Sequence, residues 1–159
     1  MTESAPGYGV GMELSTTIGR GVLSGAAGTA ALTAVQLVET KVQGREPSTT
    51  PAEAVEKVLD VEPKGEGAEQ RLANLTHWVY GTAWGIPRAI LGVLGLRGFW
   101  GTAFHFGMVW GTALVMLPGL DVAPPPGEWG KKELTKDALR HVVYAAAAGA
   151  AYAFLARED

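Results

Sequence analysis

The chain contains no cysteine, which excludes disulfides, thiolate nucleophiles and thiolate metal sites. A surplus of basic charge is missing too. Thirteen Lys and Arg against 16 Asp and Glu leave a formal net charge of -3 and a pI near 5.6, so no nucleic-acid partner is expected. Catalytic signatures are equally absent: there is no Gly-x-x-x-x-Gly-Lys-Ser/Thr phosphate loop, no His-Glu-x-x-His and no Gly-x-Ser-x-Gly elbow. With no activated nucleophile in view, a non-enzymatic protein is expected.

Charge of either sign is missing from long stretches. Gly21 to Val38 carries no ionisable residue, and Gly98 to Leu120 carries none except His105. Two further runs, Leu72 to Leu96 and Leu139 to Ala156, are interrupted near their ends by Arg88 and His141. A helix needs roughly 20 apolar residues, with a range from about 17, to cross the hydrocarbon layer, and each run meets that if its polar end snorkels. A soluble helical bundle should show a wet face on every helix, and "GVLSGAAGTAALTAVQLV" has none. The mean hydropathy of only +0.12 conceals these runs because two polar segments dilute them.

The fold expected from this pattern is all-α, a bundle of four transmembrane helices over about 18–40, 72–96, 98–118 and 137–156. Residues 1–17 read as a loose N-terminal tail and 18–159 as the membrane domain. In the first loop, Thr50, Pro51 and Glu53 form a helix start, and Val55, Val58 and Leu59 then fall on one side, giving a short amphipathic helix over about 51–60. The connections after the first and third expected spans hold nine of the thirteen basic residues, which places both loops on the cytoplasmic side of a bacterial inner membrane. Lipid is then the first partner, with a homodimer or a larger membrane complex as the next.

The chain also repeats itself. "HWVYGTAWG" from His77 and "HVVYAAAAG" from His141 share His, Tyr and Gly in register, and "SGAAGTAAL" from Ser24 parallels "GMVWGTALV" from Gly107. Two tandem helical hairpins related by a pseudo-twofold along the membrane normal would produce this pattern. Gly21, Ser24, Gly25 and Gly28, and their counterparts Gly107 and Gly111, make small-xxx-small faces suited to close helix packing in lipid.

A second set of residues could carry chemistry. His77, Tyr80 and Arg88 share one helical face, and His141 and Tyr144 share the equivalent one. Ionisable groups on membrane helices turn inward, which brings Glu39 to the same level as the two histidines. Three readings stay open for Glu39, His77 and His141: a structural hydrogen-bond network, two imidazoles ligating haem iron, or a site for a divalent metal or a proton relay. His105, in the middle of its run, needs a polar partner. Arg88, next to the helix-breaking Pro87, either snorkels or turns inward as a fixed positive charge for an anion.

The order of these parts resembles the YagU-like group of small bacterial inner-membrane proteins. The likeness lies in the Gly/Ala-rich first helix, the loop with its proline, "H-x-x-Y" at His77, His105 followed by "P-G-L" at Pro118 to Leu120, and "D-x-x-x-H-x-x-Y" ending at Tyr144. It runs from Gly21 through most of the chain. It implies a membrane location and a four-helix plan, and carries no chemistry with it.

Overall fold

The computed structural model describes residues 7–44, 47–65 and 67–157, with side chains from Glu13 onward. Among them are six α-helices and no strand: α1 Gly7–Gln43, α2 Thr50–Leu59, α3 Ala68–Ala83, α4 Gly85–Val93, α5 Gly98–Gly119 and α6 Lys131–Leu155. A single 3-10 turn, Pro126–Glu128, sits before α6. Residues 7–17, expected as tail, continue α1; residues 1–6 lie outside the described residues.

Local chemistry sets the boundaries. Gly44 follows α1 with φ of 60°, the left-handed position that ends helices at glycine. Before α2 the capping residue is Thr49 rather than Thr50. Its carbonyl accepts from the Ala52 and Glu53 amides, and its hydroxyl donates to Glu53 at 2.7 Å. The helix then buries Ala52 and Ala54 and packs on α3, leaving Val58 and Leu59 outside. The proline-rich loop is tied by the Trp129 indole, which donates to the Pro124 carbonyl at 2.7 Å.

The expected bundle of four membrane spans is not what forms. Two helices are long and apolar enough to cross a membrane, over Glu13–Gln43 and Lys131–Leu155. The run from Leu72 to Leu96 breaks at Trp84 into α3 of 16 residues and α4 of 9. Pro87 is the physical cause: it has no N–H to offer the Ala83 carbonyl, so the ladder is interrupted there. Neither piece spans the roughly 30 Å of hydrocarbon at about 1.5 Å per residue. The 22 residues of α5 have the length but are not among the two candidate spans.

The tandem-hairpin symmetry fails as well. α1 runs through the middle of the fold against α3, α4 and α6, whereas α5 packs on α6 and α4. A Cβ on Gly21, Gly25 or Gly28 would strike Gly85, Thr82 or Tyr144 at 2.9 Å or closer, but one on Gly107 or Gly111 would meet nothing within 4 Å. Helices α1 and α6 are antiparallel, since Glu39 meets Arg140 while Gly28, lower in α1, meets Tyr144, further along α6.

Polarity is distributed inside out. The largest fully buried side chains are Arg88, Tyr144, His105, Thr29 and Ser24. The exposed ones include Leu23, Leu37, Val38, Phe99, Trp100, Phe104, Val115 and Phe154. Among the described residues the buried apolar side chains are mostly alanines, and Val109, Tyr144 and Ala148, flanked by Leu32 and Trp84, form a small cluster.

Candidate functional site

Small polar residues line the face of α1 that meets α3. The hydroxyls of Ser24, Thr29 and Thr33 each donate back to the carbonyl four residues earlier, at 2.6, 2.8 and 2.8 Å, so they are satisfied within their own helix. Because the Thr33 hydrogen is committed to the Thr29 carbonyl, Thr33 accepts from His77, whose Nε2 lies 3.1 Å away. That bond places the proton on Nε2 of His77. Thr29 also lies so close to Gly81 that a Cβ there would stand 2.4 Å from its hydroxyl oxygen.

His141 has different partners. Its Nδ1 donates to the Asp137 carbonyl one turn earlier at 2.9 Å, with the Asp137 carboxylate 3.7 Å off. The same carboxylate accepts from the Trp110 indole at 2.9 Å, which fastens α5 to the first turns of α6. Glu39 is held by Arg140, whose Nε donates to it at 2.7 Å. Glu39, His77 and His141 are thus each engaged separately, and among the described residues no three His, Asp or Glu gather in the way a metal ion requires. The Asp137–His141 spacing is visible in the sequence; the Trp110 and Arg140 contacts depend on which helices become neighbours.

The Glu39–Arg140 pair is about a quarter exposed on both sides, so solvent screens it. A double-mutant cycle with Glu39→Gln and Arg140→Gln is expected to return a coupling of about 0.5–1 kcal/mol. A coupling well above that range, measured by unfolding in mild detergent, would show that this end of α1 and α6 is sealed from water.

The deepest polar groups lie elsewhere, around the break between α3 and α4. His105 is fully buried, and its Nε2–H donates to the Trp84 carbonyl at 2.8 Å, which leaves its Nδ1 buried with no partner. The imidazole also lies beside Tyr144, with ring centroids 5.7 Å apart. Tyr144 in turn donates its hydroxyl to the Gly81 carbonyl at 2.6 Å, joining α6 to α3. Its expected counterpart Tyr80 is 38% exposed and touches Trp84 edge to face.

Arg88 does not snorkel. It is 1% exposed, on α4, with its guanidinium carbon 4.5 Å from the centre of the Tyr152 ring. Its Nε and Nη1 are buried and have no hydrogen-bond partner. The charge is close enough to His105 for the two to interact electrostatically. Around it the backbone is small: Gly92 lies against the Tyr152 ring and hydroxyl, and Gly101 lies against the Leu96 carbonyl and Arg88 itself. Of the residues that draw attention in the sequence, the structure therefore brings together Arg88, His105 and Tyr144, with Trp84 and Tyr152 added.

Compared with known proteins, the chain matches no family model, no curated protein and no solved structure. The likeness to the YagU-like group rests on the layout of its residues.

Proposed function

We propose that the protein resides in a bacterial cytoplasmic membrane and serves there as a non-enzymatic accessory or assembly component. One observation carries this reading: Arg88, His105, Thr29 and Ser24 are inside while Leu, Val, Phe and Trp side chains face outward. In water such a distribution forfeits the hydrophobic driving force, because apolar area stays wet and polar groups lose their solvent. In lipid the apolar surface carries no such penalty, the polar groups are sheltered from hydrocarbon, and small residues let helices associate through close packing. Only 28% of the most apolar stretch of α1 and of α6 is buried, unlike the core helix of a soluble domain.

In this reading α1 and α6 cross the bilayer as an antiparallel pair. The end that carries Lys41, Lys131, Lys132 and Lys136 faces the cytoplasm, following the basic-residue bias. A second copy of the chain, or a larger membrane complex, is the protein's natural partner.

Fractionation tests the location. The protein is expected to stay in the inner-membrane pellet through an alkaline carbonate wash and to leave it only with detergent. Recovery in the soluble fraction without detergent would refute membrane residence. Native mass measurement in lipid nanodiscs tests the assembly role: a complex larger than one chain is expected, and a lone monomer in native lipids argues against it.

A further inference from the structure

The Arg88 guanidinium raises a question that the membrane reading leaves open. Arginine keeps its proton in any protein environment, so this buried group is a permanent positive charge. A buried charge is costly unless paired. Yet among the described residues no carboxylate bonds to Arg88, and two of its nitrogens, Nε and Nη1, have no acceptor for their hydrogens. The Tyr152 ring supplies partial compensation through its π face, which offers less than an anion does.

We propose that Arg88 is the centre of a binding site for a small monovalent anion of halide size, seated between α4, α5 and α6. The anion accepts from Nε and Nη1 in the plane of the guanidinium, and the Tyr152 ring, which covers the face, turns aside to admit it. Tyr152 is buried but not sealed, at 7% exposed, and its ring rests on Gly92, which has no side chain to lock it. Gly101 keeps the opposite wall low, since a Cβ there would stand 3.3 Å from Arg88 Nη1. The tight wrapping of Nε and Nη1 selects for size: a halide is admitted by a swing of one ring, whereas a phosphate headgroup or a sugar acid would need the helices to part. Among the described residues no carboxylate bonds to Arg88, and Glu39 and Asp137 are held by Arg140 and Trp110. The site does not depend on how the protein is placed in a membrane.

The full chain in zwitterionic nanodiscs, titrated with sodium chloride or bromide against sodium gluconate at equal ionic strength, tests this. Halide should raise the melting midpoint saturably, by about 5–10 °C at a hundredfold excess over its dissociation constant, and gluconate should not. Chlorine-35 NMR should show line broadening that bromide competes away. Both effects should vanish in Arg88→Met and persist in Arg157→Met. Tyr152→Leu, which removes the competing ring, should lower the half-saturating halide concentration several-fold. Equal responses to chloride and gluconate would overturn the proposal, as would a halide effect that survives in Arg88→Met. If Arg88→Met does not fold, an unchanged half-saturation in Tyr152→Leu overturns it equally. Stabilisation seen only when anionic lipid is added, with none from halide, would assign the charge to a headgroup and reject the halide site.

Discussion

Replacing Gly85 by alanine is expected to destabilise the protein by about 3 kcal/mol or more, although alanine is the better helix former by about 1 kcal/mol. The reason is contact between backbones. A Cβ at Gly85 would stand 2.0 Å from the Gly21 carbonyl oxygen and 2.6 Å from the Gly25 Cα. A side chain can turn away from such a collision, but these atoms belong to the middle of α1 and move only if the helices separate. Separation would also strain the Trp84 carbonyl that His105 holds. Gly111→Ala is the control with the opposite sign: nothing lies within 4 Å of its Cβ position, so propensity alone acts and the change is neutral or stabilising by up to about 1 kcal/mol. Thermal unfolding of the two variants in one detergent, followed by near-ultraviolet circular dichroism, decides the matter. If both shift in the same direction by similar amounts, the close crossing of α1 and α4 is not what holds the fold.

That contrast also marks how far the sequence could be read. The all-helical class was legible because Gly21 to Val38 and Gly98 to Leu120 carry no ionisable residue except His105 and are long enough for membrane helices. The packing face of Gly21, Ser24, Gly25 and Gly28 was legible because small residues recur on one side of one helix. Its match at Gly107 and Gly111 was legible only as a pattern. Spacing cannot say whether a neighbour arrives to use it, and among the described residues none does. Composition also suggested four spans, since an apolar run and a spanning helix look alike until Pro87 divides one of them. Arg88 was ambiguous for a related reason: one turn decides between the lipid surface and the interior, and the turn is set by that same break. Trp110 and Arg140 were invisible, because an indole or a guanidinium finds its carboxylate only after α5 and α6, or α1 and α6, have become neighbours.

Tyr144 and Tyr80 separate resemblance along the chain from equivalence in space. Tyr144→Ala is expected to cost about 4 kcal/mol, within the range for emptying a buried aromatic site. The ring is 2% exposed, lies on Gly28, flanks His105 and belongs to the small apolar cluster with Val109 and Ala148. On α1 and α6 its neighbours Gly28 and Ala148 have no side chain long enough to fill the space. Tyr144→Phe isolates the hydroxyl: losing the 2.6 Å bond to the Gly81 carbonyl should cost about 1 kcal/mol. Tyr80→Ala should cost less than about 1.5 kcal/mol, because the ring is 38% exposed and its aromatic contact is the edge of Trp84 alone. The order Tyr144→Ala, then Tyr144→Phe or Tyr80→Ala, can be read from unfolding midpoints in one detergent. Equal costs for the two alanine variants would restore the symmetry that the coordinates deny, and would mean that α6 does not pack through Tyr144 onto α1.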